Sequence, residues 1–332
     1  MKALRTHAVG GPDTLTLDEI DAPTPAPGQV LVAVKACAIN YPDTLMIRDL
    51  YQFKPERPYA PGGEIAGVVE AIGDGVTNFR PGDRVLAGIG NGGLVEKVAV
   101  PVGRLFPVPE GVPFEKAASL LMTYGTTIHG LKDRGHIKPG DTVLVLGAAG
   151  GVGLSAVELA KAFGARVVAA VSSEVKGEVA RRAGADEVVV YPREAMDKDA
   201  SKELANAFKA ACGPDGANIV YDIVGGQYSE PALRAIAWEG RFLVVGFPAG
   251  IAKMPLNLTL LKSCDIRGVF WGAFTAREPA KFQAQVGELF DLLKAGKIDP
   301  LVSETFPLER GGEAIAKLEN REAVGKLVVT MD

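Results

Sequence analysis

The apolar positions of the chain follow two rhythms. Up to about residue 122, short apolar runs at 31–36, 65–72, 84–86 and 94–100 alternate with turn clusters at 25–28, 73–75 and 81–83. Runs of that length, punctuated by Pro and Gly, predict the strands of a small barrel or sandwich. Beyond about residue 117 the punctuation thins. Apolar runs at 142–146, 166–171, 187–190, 217–223, 241–246 and 266–270 alternate with helical patterns at 154–163, 174–183, 202–211 and 229–237. Strands separated by helices of about ten residues predict a parallel sheet covered on both faces, and six of them suit a doubly wound, dinucleotide-binding domain. A helix at 279–293 and strand-like runs at 302–307 and 325–330 follow.

The most informative segment joins the two patterns. The apolar run 142–146 meets Gly147-Ala-Ala-Gly-Gly-Val-Gly153, and a helical pattern starts at once. Glycine lets the backbone turn sharply and approach a pyrophosphate, and a helix N-terminus offers free N–H groups to the anion. Ala149, Gly150, Gly151, Val152 and Gly153 are therefore the candidate phosphate cradle, with Ala148 where the first glycine of the fingerprint would stand. The next strand ends without the carboxylate that grips a ribose 2′-hydroxyl. Ser172, Ser173 and Lys176 follow it, with Tyr191 just past the third strand. Hydroxyls and an ammonium suit a 2′-phosphate and predict NADPH rather than NADH; the same residues also read as an N-capped, solvated helix start.

Composition adds boundaries. The 332 residues are 47% hydrophobic and 23% charged, with a net charge of −4, which fits a globular chain of two domains and gives no basic face for nucleic acid. Cys37, Cys212 and Cys264 form no CxxC and read as ordinary buried thiols rather than disulfides or a zinc cluster. The N-terminus lacks an apolar signal region and no run is long enough to span a bilayer, so the expectation is a cytoplasmic protein with no membrane partner.

Seven motifs occur in order along the whole chain. They are Asn40-Tyr-Pro-Asp43, Pro61-Gly-Gly-Glu-Ile-Ala-Gly-Val-Val69, Pro81-Gly-Asp-Arg-Val85, Ala148-Ala-Gly-Gly-Val-Gly153, Gly184-Ala-Asp186, Asp222-Ile-Val-Gly-Gly226 and Gly325-Lys-Leu-Val-Val329. On these the sequence resembles the zinc-independent quinone oxidoreductase branch of the medium-chain dehydrogenase/reductase superfamily, which includes the zeta-crystallins. The resemblance implies an α/β protein with a GroES-like β-rich catalytic domain over 1–122, a Rossmann NADPH-binding domain over 123–270 and a return to the catalytic domain over 271–332. In the zinc enzymes of the superfamily a Cys and a His hold the catalytic metal. The matching positions are Asn40 and Gly63, and the four-cysteine lobe is missing between Asp83 and Val100. Zinc takes thiolate, imidazole or carboxylate, so the resemblance implies no metal.

The resemblance also implies site residues. Tyr51 would line the substrate site as candidate proton donor, with Asn40 and Asp43 on the same wall. Thr126 would lie close to the nicotinamide, and Gly225, Gly246, Phe247, Phe270 and Trp271 would meet the rest of the cofactor. Each has a plainer alternative: Tyr51 as a surface aromatic, Asn40 and Asp43 as turn organisers, Trp271 as core. Leu45 stands where the family often has a second tyrosine, so an apolar pocket from Leu45, Met46, Phe247, Phe270 and Trp271 is the alternative to two stacked tyrosines.

Without a metal to polarise a simple carbonyl, conjugated acceptors are favoured, because hydride addition spreads charge into an enolate or phenolate. The leading expectation is an NADPH-dependent reductase of a small hydrophobic quinone, enone or enal. The second is a short-chain enoyl-CoA reductase, with Arg48, Lys54 and Arg57 meeting the acyl-CoA phosphates. A third, of another class, is a non-catalytic NADPH-binding structural protein. A homodimer formed through the sixth strand is a family expectation.

Overall fold

The computed structural model describes residues 1–331. In chain order the elements are β1 (Lys2–Thr6), β2 (Leu15–Glu19), β3 (Gln29–Ala38), α1 (Tyr41–Met46), β4 (Glu64–Ile72), β5 (Arg84–Gly88), β6 (Lys97–Pro101), β7 (Leu105–Pro107), α2 (Phe114–Ala117), α3 (Leu121–Ile128) and β8 (Thr142–Leu146). Then come α4 (Gly151–Ala162), β9 (Arg166–Val171), α5 (Glu174–Arg182), β10 (Glu187–Val190), α6 (Lys198–Cys212), β11 (Ala217–Asp222), α7 (Ser229–Arg234), β12 (Ile236–Val244), α8 (Asn257–Lys262), β13 (Asp265–Gly268), α9 (Trp271–Arg277) and α10 (Pro279–Lys294). The chain closes with β14 (Val302–Pro307), α11 (Gly311–Glu319) and β15 (Lys326–Thr330).

Packing divides the chain into two compact units, residues 1–122 with the segment from Pro300 onward, and Thr123–Asp299. The first unit is a seven-stranded sheet in which β14-β15-β3-β4-β5-β7 run side by side and β6 pairs with β3, beside a β1–β2 hairpin. All its pairings are antiparallel except β14 with β15. Register shifts between β3 and β4 mark bulges, which bend a sheet. Val32, Val34, Ile65, Val69, Val85, Leu94, Leu327 and Val329 fill its core.

The second unit holds a fully parallel sheet ordered β10-β9-β8-β11-β12-β13. Counted within the unit this is the order of a dinucleotide-binding doubly wound sheet. Its central strand β8 is buried from Val143 to Leu146, as a parallel strand covered on both faces must be. Register then aligns four strand ends, since Asp222 pairs with both Leu146 and Val244, and Val244 pairs with Gly268. The segments that leave these residues therefore emerge along one edge of the sheet, where ligands bind in such folds.

The structure moves one boundary. The return to the first unit comes at Pro300 rather than near residue 271, because α9 and α10 pack on the second unit. Phe274 stacks on His129 with ring centroids 4.0 Å apart, Gln285 Nε2 donates to Asp133 Oδ2 at 2.8 Å, and Val286 and Leu289 are buried.

Candidate functional site

The glycine segment forms a tight turn into a helix. Gly147, at φ +71°, and Ala148 both donate their N–H to Ala170 O, at 2.9 and 3.1 Å. Gly150 stands at the N-cap of α4, and no side chain caps the helix, so its first N–H groups remain available to an anion. The glycines serve two ends. A Cβ on Gly153 would sit 2.2 Å from Gly147 O, so this glycine lets the helix close on its own turn. A Cβ on Gly150 would meet nothing nearer than Gly147 O at 3.7 Å. The fold itself therefore does not need a glycine there.

At the end of β9, Ser173 Oγ accepts the N–H of Lys176 at 3.4 Å and caps α5, while Ser172 stays half-exposed. Lys176 is half-buried, and burial followed by the positive charge of Arg193 holds its pKa below the usual lysine value. Arg193 thus lies close enough for its charge to act on Lys176. Tyr191 N donates to Val171 O at 2.8 Å, its ring lies 4.6 Å from that of Tyr228, and Tyr228 Oη fixes Pro192 O at 2.8 Å. Arg181 pairs with Glu178 at 2.5 Å and approaches Glu174 at 4.0 Å, so the acidic residues of α5 are largely answered by their own helix.

Along the rest of the edge, Gly225 and Gly226 adopt φ of +72° and +59°. Gly246 N donates to Asp222 O at 3.2 Å, and Phe247 is exposed. Thr126 is half-exposed on α3, whereas its neighbour Thr127 is buried, 2.7 Å from Ser155 Oγ and 3.1 Å from Tyr221 Oη. Phe270 is exposed. Trp271 packs its indole where a side chain on Gly125 would be and meets Phe282 edge-on at 5.7 Å, with its Nε1 buried and without a partner. That environment is closer to core than to an open pocket wall.

In the first unit Asn40 and Asp43 are buried and committed. Asn40 Nδ2 donates to Ala38 O and to Glu64 Oε2, both at 3.2 Å, while its Oδ1 accepts from Lys326 Nζ at 2.6 Å. Lys326 Nζ also donates to Ile39 O at 2.8 Å, and Glu64 Oε1 accepts Met122 N at 2.9 Å. Asp43 accepts Asn40 N at 2.8 Å and Gly62 N at 2.9 Å, tying α1 to the loop before β4. Burial, opposed by those two N–H donors and by Lys326, pushes Asp43 up to about 6. Burial raises Glu64 and lowers Lys326, and each partly restores the other. Met46 is likewise buried and belongs to the interior, while Leu45 is half-buried. Tyr51 is half-exposed on the loop after α1. Its phenol is raised by burial first and by the Asp43 charge second. Of the basic residues flanking it, Arg48 grips Glu319 with two bonds of 2.7 and 3.0 Å, and Arg57 binds Asp49 at 2.7 Å and Ile47 O at 3.1 Å.

Residues 26–110 match the alcohol dehydrogenase GroES-like domain, and residues 151–291 match the family described as zinc-binding dehydrogenase. A quinone oxidoreductase-like protein 2 homolog of Nematostella vectensis is 37% identical over 332 residues, covering 99% of this chain and 88% of the relative. The chain belongs to the quinone oxidoreductase branch of the medium-chain dehydrogenase/reductase superfamily. Two solved structures cover 100% of this chain and are themselves covered to 100%: mycobacterial Rv1454c complexed with NADPH, at 31% identity and a TM-score of 0.91, and Escherichia coli quinone oxidoreductase complexed with NADPH, at 28% identity and 0.90. The architecture is accordingly a GroES-like unit with a Rossmann-type parallel-sheet unit.

Within that family the donor set at the metal-binding positions is unusual for zinc. Position 40 is an amide held 2.6 Å from a buried ammonium. A Cβ at position 63 would lie 2.9 Å from Gly90 O, so a histidine would need the backbone to move. Cys37 is fully buried, and burial, then Asp43 and Glu64, raise its thiol well above the ordinary value. Among the described residues no three side chains gather as a metal site. Sequence reasoning passed over Glu64, Lys326, Asp222 and Arg193. The first three stand inside motifs it quoted, where a charged residue in an otherwise small or apolar string was the available signal.

Proposed function

We propose that the protein is a metal-independent, NADPH-dependent reductase that transfers hydride to a quinone or a conjugated enone or enal. The observation that carries the reading is the edge of the parallel sheet. There an uncapped glycine turn with open space above Gly150 is followed, at the next strand end, by Ser172 and Lys176 beside Arg193, with no carboxylate at the tip of β9. The Gly150 turn and the α4 N–H groups would hold the pyrophosphate. Lys176, Arg193 and Ser172 would hold the 2′-phosphate, with Tyr191 beside them. The relatives solved with NADPH support the same choice.

NADPH supplies the hydride. The chain's own part is to place the cofactor and to manage the charge left on the acceptor. Hydride addition to a β-carbon or quinone ring leaves an oxyanion. Tyr51, whose raised pKa keeps it protonated at neutral pH, would donate to that oxygen. Asn40 has both amide protons committed inside the protein, so its role is to hold the wall rather than to touch substrate. Lys326 would repel a divalent ion at position 40, which supports chemistry without a Lewis acid.

The ion pairs of Arg48 with Glu319 and of Arg57 with Asp49 favour quinone or enone over acyl-CoA, since they leave Lys54 as the one basic residue around Tyr51 without an ion pair among the described residues. A homodimer is also proposed. Among the described residues no strand pairs with the outer side of β13, and Ile251, Leu256, Leu260 and Leu261 nearby in the chain are exposed; a monomeric mass in solution would count against it.

The deciding experiment is NADPH oxidation with quinones, 2-alkenals and enoyl-CoAs at matched concentrations. Higher kcat/KM with a quinone or alkenal is expected. Saturation by acryloyl- or crotonyl-CoA far below the quinone KM would favour the thioester reading, and tight NADPH binding with no oxidation by any activated alkene would favour a non-catalytic role.

A further inference from the structure

Asp222 ends β11 and is 2% exposed, with no basic side chain against its carboxylate among its hydrogen-bond partners. Instead five donors converge on this one residue. Its Oδ1 accepts the N–H of Val224 at 2.9 Å and of Gly225 at 2.8 Å, and its Oδ2 accepts Ser229 Oγ at 2.5 Å. Its backbone oxygen accepts Val245 N at 2.9 Å and Gly246 N at 3.2 Å.

The consequence is that two segments leaving neighbouring strands become one piece. The carboxylate folds the turn after β11, where Gly225 and Gly226 hold positive φ. That turn is stitched to the loop after β12, with Gly226 N donating to Gly250 O at 2.7 Å and Ala249 N to Val224 O at 2.9 Å. The fit is close enough that a Cβ on Gly225 would lie 2.6 Å from Gly250 O. A buried carboxylate is costly unless its hydrogen bonds are made, and here every one of them fixes this corner of the sheet edge.

We propose that Asp222 is a positioning residue for the nicotinamide half of the dinucleotide: its carboxylate sets the 223–226 turn, onto which the 245–250 loop is stitched by backbone bonds, so that both meet the cofactor as one rigid surface. The inference rests on the NADPH reading above. The glycine turn at Gly150 and the Lys176 corner lie at other strand ends, so the adenosine half should not depend on Asp222.

The test compares NADPH with 2′,5′-ADP, which carries only the adenosine half and its 2′-phosphate. Asp222→Asn keeps the shape and an oxygen for the two N–H groups, but removes the negative charge and turns Ser229 Oγ from donor to acceptor. It is expected to raise the KM for NADPH roughly tenfold or more and to lower kcat, as loss of a charge-assisted network predicts, with the 2′,5′-ADP dissociation constant changed by less than about twofold. Ser229→Ala removes one donor and leaves the two N–H groups on Oδ1; it should raise the NADPH KM by about threefold with 2′,5′-ADP binding again unchanged, and it carries the test if the first variant does not fold. Equal weakening of both ligands, or of neither, in the folded variant overturns the proposal. Failure of the wild-type protein to bind 2′,5′-ADP or NADPH overturns the dinucleotide reading itself, and this inference with it.

Discussion

Lys326 Nζ lies 2.6 Å from Asn40 Oδ1, and both residues are buried. The ammonium thus stands beside the position that, in the zinc enzymes of the superfamily, carries a metal ligand. It is answered by Glu64, whose Oε2 accepts Asn40 Nδ2, and by Asp43, whose charge also acts on it. Asn40 thus bridges the ammonium and the Glu64 carboxylate in a buried charge cluster.

That cluster has a pH signature. Burial moves Asp43 from the ordinary 3.8 to about 6. Between those values the folded protein holds the proton more tightly than the unfolded chain does, so this residue costs stability as pH rises through the window, by up to about 3 kcal/mol. The stability of the wild type relative to Asp43→Asn, from urea unfolding, should therefore fall between pH 4 and pH 7 and level off above. A difference that is flat with pH would show that Asp43 titrates normally.

The two loop glycines should fail in different ways. Gly153→Ala places a Cβ 2.2 Å from Gly147 O and should destabilise the fold, by roughly 1–3 kcal/mol if the helix shifts to relieve it. Gly150→Ala meets no protein atom closer than 3.7 Å and should melt like the wild type while losing most of its affinity for NADPH. Thermal melting read beside NADPH titration distinguishes them; equal melting losses would contradict the assignment of Gly150 to the ligand.

Cofactor choice should depend on Lys176. Removing one charge-assisted bond to a 2′-phosphate, worth about 1.5–3 kcal/mol, should raise the KM for NADPH by about 10- to 150-fold in Lys176→Ala and leave that for NADH nearly unchanged. Steady-state kinetics with the two nucleotides measures this. An equal effect on both would remove the 2′-phosphate from this corner.

Much of this was legible in the sequence, and unevenly so. Strands β8, β9 and β10 fall where apolar runs predicted them, because a parallel strand buried on both faces writes itself as a continuous run. Helix α10 is legible as the pattern at 279–293 and α9 is not, and neither segment says which sheet it covers, so the expected domain return at 271 falls short of the observed one at 300. Helix α1 is only six residues long and begins Tyr-Pro, too short for a period to show. The candidate site was legible as residue types at strand ends. The commitment of Asn40 was not, since its partners lie 24 and 286 positions away. The Arg193 neighbour of Lys176 was missed for the same reason: two strand ends bring them together, and spacing does not.

Tyr51 is the proposed donor to the acceptor oxygen. Tyr51→Phe keeps a half-exposed ring and loses one donor, so melting should be unchanged while kcat with an enone falls by roughly a hundredfold, as loss of one oxyanion donor does elsewhere. Unchanged kcat, with the solvent isotope effect also unchanged, would assign the proton to another group.

Hydride transfer from NADPH without a metal, as proposed, has a kinetic signature. The most direct measurement is the initial rate of NADPH oxidation by a quinone or 2-alkenal, using protein dialysed against a chelator and shown to be metal-free by elemental analysis. A metal-independent reductase should keep the full rate of the untreated protein and show no response to added zinc. A rate that disappears on chelation and returns with stoichiometric zinc would contradict it.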